Sequence, residues 1–163
     1  KKFDDRGYAV AMNRKLKDPS EIVKEAIRMA LDIGASLIGV ESVGYQQTLG
    51  FWITFFLKQM NVTHITVVEL HPHGRSKESR IRQYVAELYK GTQHILDAEC
   101  RREFTWQGSL YKFGKKKNKD DILDGFAYSL DIRNEYWHLI RPLGQYAPLV
   151  DHNLCSVEHN GCF

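Results

Sequence analysis

The run Lys117-Asn118-Lys119-Asp120-Asp121-Ile122-Leu123-Asp124 places three carboxylates within five positions where a helical pattern begins. On a helix Asp121 and Asp124 are spaced i, i+3 and Asp120 and Asp124 i, i+4, so at least one pair shares a face. Carboxylates on one face can hold a hard divalent cation through oxygen. The competing reading is structural, because acids favour helix N-termini, where they cap backbone N–H groups and meet the positive end of the dipole. Glu41 adds a further carboxylate by closing the short apolar run Ser36–Glu41 (SLIGVE), which puts it at the edge of a sheet. Glu41 and the Asp120–Asp124 group are carboxylates of the kind that two-metal phosphodiester hydrolysis uses, in which ions about 3.5–4 Å apart activate water and stabilise the leaving oxygen. That chemistry needs neither a nucleophilic serine nor a cysteine.

Cations stand near both ends of this acidic group. Lys77, Arg80 and Arg82 fall on a helix that starts at the same sheet edge, where they can neutralise phosphates or form a solvated face. Lys112, Lys115, Lys116, Lys117 and Lys119 put five lysines in eight positions directly before the acids, a pattern suited to backbone-tracking contact with DNA and lacking base-reading side chains. Glu69, His71 and His73 follow a neighbouring strand and read as turn-capping or exposed groups. The tail carries His152-x-x-Cys155-x-x-x-His159-x-x-Cys162, but so compact a run leaves little room for tetrahedral closure, and no tightly bound zinc is expected. Tyr45, Phe51, Trp52, Phe55 and Phe56 read as core packing.

Composition narrows the classes. The 163 residues are 43% hydrophobic and 26% charged, enough for one domain with a buried core, and the net charge of +3 is too small by itself to indicate a nucleic-acid partner. The longest apolar stretch, near Phe51–Leu57, is far short of the ~20 residues needed to cross a bilayer, so no membrane partner is expected. No secretory segment follows the opening Lys-Lys-Phe-Asp-Asp, and three cysteines are an odd number, so a cytoplasmic protein with reduced thiols is the reading. No G-x-x-x-x-G-K-[ST] occurs, so any nucleotide motor belongs to another segment or chain.

The elements that must position these groups alternate. Residues Gly7–Lys15 follow a turn-type cluster and read as a strand whose partner precedes residue 1. Asp18-Pro19 starts an amphipathic helix ending at Gly34, Ser36–Glu41 is a buried strand, Tyr45–Met60 a second helix and His64–Leu70 another strand. Strand, helix, strand with short links implies a right-handed crossover and a parallel pair whose C-terminal ends open on one edge, where ligands tend to bind. Ser76–Lys90 is a third helix stopped by Gly91, His94–Gly114 is mixed, and a last helix opens at Asp120-Asp121. Residues 1–140 therefore form one α/β domain, and 141–163 an irregular extension.

The order DPSEIVKEAI, LIGVESVGYQQTLGFWI, ITVVELHPHGRSKESRIRQYVAELYKGTQHI and KNKDDILDGFAYSL resembles the nuclease domain of the large terminase subunit of tailed bacteriophages over roughly Gly7–Leu130. The resemblance implies a ribonuclease H-like mixed sheet flanked by helices and a metal-dependent endonuclease that cuts concatemeric viral double-stranded DNA during genome packaging. It also implies Mg²⁺ or Mn²⁺ held by a first-strand aspartate, a strand-end glutamate and aspartates opening the last helix. Glu41 matches the second position and Asp121 with Asp124 the third, with Asp120 beside them. The first position has no match; either the chain begins inside the fold, the preferred reading, or Asp4 or Asp5 stands in. Implied partners are a terminase ATPase domain, the small terminase subunit and the portal, in the host cytoplasm. A resolvase- or transposase-type nuclease would share these carboxylates, and a catalytically silent DNA-binding or assembly module would use them only as caps.

Overall fold

The computed structural model describes residues 6–13, 18–42, 46–71, 74–115 and 118–140. Asp4, Asp5, Tyr45, His73, Lys116, Lys117 and the whole of 141–163, with its His and Cys run, lie outside them. The protein is α/β, in the order β1 (Gly7–Ala9), α1 (Pro19–Asp32), β2 (Leu37–Glu41), α2 (Gln46–Gln59), β3 (Thr66–Leu70), α3 (Lys77–Tyr89), β4 (Gln93–Ile95), α4 (Ala98–Leu110) and α5 (Asp121–Tyr136), closed by a short 3-10 turn at Trp137–Leu139.

Local chemistry sets the helix ends. Asp18 caps α1 by accepting from the Ser20 amide at 2.8 Å, with Pro19 in the first turn, where its missing N–H costs nothing. Ser76 caps α3 through the Ser79 amide, and Asp97 caps α4 through the Cys100 amide. Gly34 and Gly91, which follow α1 and α3, take φ of 64° and 71°, a left-handed conformation that glycine adopts without Cβ strain.

β2 and β3 pair in parallel, Leu37 opposite Thr66 and Glu41 opposite Leu70, as the short crossover through α2 requires. Strand alternation divides the side chains between two layers. Ile38, Val40 and Val67 join Val23, Ile27, Leu49, Ile53 and Leu57 in the core shared with α1 and α2. Gly39 and Glu41 point the other way, and a Cβ on Gly39 would meet Ile132 of α5. A second core joins α3 to α5 through Ile81, Tyr84, Leu123, Ala127 and Leu130, with Phe104 of α4 against it. Burying Ile81, Leu123 and Leu130 contributes roughly 1.5–3 kcal/mol each, and this second core fixes α5 against α3.

Two expectations are corrected. Among the described residues the first strand is Gly7–Ala9, and it pairs in parallel with β4, Gly7 opposite Gln93 and Ala9 opposite Ile95. Its ladder ends there because the next residues of the partner, Leu96 and Asp97, turn into the capped start of α4. On α2 the core-facing residues are Leu49, Ile53 and Leu57, with Phe56 partly buried, whereas Phe51, Trp52 and Phe55 are exposed. The 100° step between helical residues sends those three rings to the opposite side from Leu49 and Ile53.

Candidate active site

Glu41 ends β2 on the α5 side, and its Oε1 accepts a hydrogen bond from the Tyr128 hydroxyl at 2.7 Å. Tyr128 lies one helical turn after Asp124, on the same face of α5. Burial raises the Tyr128 pKa above its ordinary value, and the hydrogen bond to Glu41 and the negative charges of Glu41 and Asp124 push the same way. The hydrogen bond thus joins the end of β2 to α5 across 87 positions of sequence.

Asp124 faces two cations. Arg80 Nη2 donates to its Oδ1 at 2.8 Å, and Lys77 Nζ lies 3.3 Å from its Oδ2. The same ammonium donates to Asp120 Oδ1 at 2.9 Å. Asp120 therefore occupies the N-cap position of α5 without making a side-chain cap bond, because its carboxylate is turned to Lys77. Two carboxylates and two cations cancel within this group. Burial lowers the Lys77 pKa, but Asp120 and Asp124 more than offset that, leaving it above the ordinary value. Arg80 is 5% exposed, its guanidinium 4.5 Å above the Tyr128 ring. It is an internal counter-charge, shut away from any backbone phosphate at the surface.

The remaining predicted groups are spread wider. Asp121, in the first turn of α5, is exposed. Arg82 pairs with Glu78 one turn away at 2.8 Å and lies 4.2 Å over the Phe113 ring. Lys115 is exposed, and its carbonyl accepts from the Asn118 amide group, which also spans back to Lys112. Lys119 is exposed and reaches toward Trp106. Glu69 faces the α2 layer, where it accepts from Ser42 Oγ at 3.0 Å and lies 3.8 Å from His71.

Two residues of the site escaped sequence reasoning. Tyr128 carried a signal, since it stands i+4 from Asp124 and i+7 from Asp121 on one helical stripe. Arg75, in the link before α3, binds the buried Asp131 at 2.6 Å and holds that part of α5 toward the α3 start. Nothing in the local pattern marks this pairing across 56 positions.

A divalent cation finds donors of the right type here, hard carboxylate oxygens. Glu41 and Asp124 are the residues that would hold it, and Asp124 would have to share its oxygens with Arg80 and Lys77. Among the described residues no group of three or more His, Cys, Asp or Glu is assembled as a metal cage. Lys77 and Arg80 instead neutralise the acids of α5. No family model matches the chain, and neither a curated protein nor a solved structure matches it.

Proposed function

We propose that the chain is a metal-dependent endonuclease of ribonuclease H-like architecture, acting on double-stranded DNA as the cutting part of a viral packaging terminase. The observation that carries this reading is the Glu41–Tyr128 hydrogen bond, which ties the end of a parallel strand to the α5 face that bears Asp124 one turn earlier. Carboxylates brought from distant parts of the chain to neighbouring elements are the donor type that phosphodiester hydrolysis by metal-activated water uses. The order of IGVES, SKESRI and DDILDGFAYSL along the chain supports it independently.

When bound, Mg²⁺ or Mn²⁺ supplies the activation of water and the stabilisation of the leaving oxygen. The chain's own contribution is positional. Tyr128 fixes the Glu41 carboxylate, Arg80 fixes Asp124, and Lys77 keeps the helix start compensated until a substrate arrives. Lys115 and Lys119 lie on the surface before the acids and can follow a phosphate backbone without reading bases, so cutting has weak sequence preference. The ATPase, small subunit and portal are partners in this reading, and the host cytoplasm its place.

One observation favours a second reading. The ion pairs of Lys77 and Arg80 satisfy Asp120 and Asp124 with no metal, as a silent binding or assembly module would need. Incubating the chain with linear plasmid and Mg²⁺ or Mn²⁺ separates the two. Metal-dependent cutting that Glu41→Gln abolishes supports the nuclease. DNA binding with no cutting under either metal assigns the module. Preference for branched over linear DNA would reassign the activity to a resolvase type.

A further inference from the structure

Helix α4 presents a stripe that the nuclease reading does not use. Ala98, Arg101, Arg102, Thr105, Trp106 and Ser109 line one shallow concavity, and their spacing by threes and ones is a single face of a helix. All six are exposed. The opposite face buries Cys100 and Gln107 and packs Phe104 against Tyr84 and Phe126, so the orientation of the stripe is fixed by the core.

Its chemistry is cationic and aromatic. The lining contains two guanidinium groups and no carboxylate. Trp106 keeps 41% of its surface in water. Lys119 Nζ lies 5.8 Å from the Trp106 ring centroid, adding a third cation and joining the stripe to the segment that enters α5. Arg101 donates to the Ile95 and Leu96 carbonyls at the strand end, which holds it in place. Arg102 approaches Glu99 and Glu103 only at 3.7 and 3.9 Å, and exposed pairs of that length contribute little, so another anion can take it.

We propose that this face of α4 binds an unpaired stretch of nucleic acid, with Trp106 stacking on a base and Arg102 and Lys119 meeting the neighbouring phosphates. Cations beside a partly exposed ring are the combination that single strands select, since every base offers a π-face once it is unstacked and can displace the flexible Lys119 from the indole. A duplex keeps its bases stacked on one another and would leave the indole unused. An acidic peptide would satisfy the arginines and leave the same ring in water. The inference does not rest on the nuclease reading, because it concerns binding without metal.

The test uses the full chain in EDTA and the anisotropy of fluorescein-labelled oligo-dT, with a duplex of equal length and polyglutamate as competitors. Trp106→Ala is expected to weaken oligo-dT binding about tenfold, ~1.4 kcal/mol, while Trp106→Phe retains most of it. Arg102→Ala is expected to flatten the log–log salt dependence by about 0.7, the value for one phosphate of a single strand. Both positions are exposed, so melting temperatures should stay at the parent value and exclude misfolding. Parent-like affinity of Trp106→Ala overturns the proposal. Equal competition by duplex overturns it in favour of backbone contact alone, and equal competition by polyglutamate assigns the face to acidic peptides. Failure of the nuclease reading would appear elsewhere, as absent metal-dependent cutting with oligo-dT binding intact.

Discussion

The Tyr128 hydroxyl and the Glu41 carboxylate meet at 2.7 Å across 87 positions of sequence. This contact joins the end of β2 to the middle of α5, and the Arg80 guanidinium lies over the same tyrosine ring, 4.5 Å from its centre. Burial and the hydrogen bond to Glu41 hold the proton on this phenol, so it is a fixed donor at neutral pH that orients the Glu41 carboxylate.

Tyr128→Phe removes that donor while keeping the ring beneath Arg80. A hydrogen bond to a charged acceptor contributes about 1.5–3 kcal/mol, and the substitution should cost an amount in that range at pH 7. Urea unfolding of Tyr128→Phe, Glu41→Gln and the double variant forms a cycle. Additive losses would mean that the two side chains do not interact.

The β2 layer makes a second demand. A Cβ on Gly39 would come within 2.5 Å of Ile132 Cδ1 and 2.8 Å of Leu70 Cδ1. Both atoms are flexible side-chain ends, so Gly39→Ala should be tolerated at about 1 kcal/mol, whereas Gly39→Val must push α5 outward at about 1–3 kcal/mol. Because α5 carries Asp124 and Tyr128, Gly39→Val should also lower any metal-dependent activity more than Gly39→Ala. Equal stability of the two variants would show that α5 does not seat on Gly39.

Much of this arrangement is legible in the sequence wherever local rules act alone. Asp18-Pro19, Ser76 and Gly91 mark helix ends through groups within a few residues, and the spacing of Leu49, Ile53 and Leu57 fixes the buried face of α2. Apolar content misleads on that same helix, since Phe51, Trp52 and Phe55 face water despite their hydrophobicity. The parallel pairing of β1 with β4 joins residues more than 80 positions apart, and three-residue strands offer too short an alternation to announce it. The acids of the site are visible as a motif, but their partners are not: Lys77 and Arg80 look like a basic helix face until the packing of α3 on α5 turns them inward.

Alkaline pH should destabilise the fold through buried protons. Burial raises the Tyr84 hydroxyl from its ordinary 10.0 to about 12 and the Cys100 thiol from 9.0 to about 11, the latter aided by its hydrogen bond to Asp97. A pKa raised in the folded state means that the fold holds the proton more tightly than the unfolded chain. The resulting stability is complete below pH 9 and is lost progressively as pH rises through 11 to 12. Melting temperatures measured between pH 8 and 12 should fall over that interval, and Tyr84→Phe should flatten the upper part. A parent curve that stays level to pH 12 would contradict the burial of both groups.

The sharpest contrast lies within the acidic motif itself. Asp124 is the partner of the buried Arg80, and Asp124→Ala would leave that guanidinium inside the protein with its charge uncompensated. Breaking a buried pair from one side costs about 3–5 kcal/mol. Lys77 carries the same charge as Arg80 and cannot replace the lost carboxylate, and its own contact with Asp124 is screened because its side chain is 41% exposed. Asp124→Asn keeps an oxygen acceptor for Arg80 and should fall between the parent and Asp124→Ala. Asp121 is exposed three residues earlier, and Asp121→Ala should stay within about 0.5 kcal/mol of the parent. Chemical denaturation of the four proteins in EDTA measures this order directly. Mg²⁺ or Mn²⁺ added to the same series then separates support from ligation: a metal-dependent rise in melting temperature lost in Asp124→Asn but kept in Asp121→Ala places the cation beside Tyr128. Equal destabilisation by Asp121→Ala and Asp124→Ala would instead mean that Arg80 is not held by Asp124.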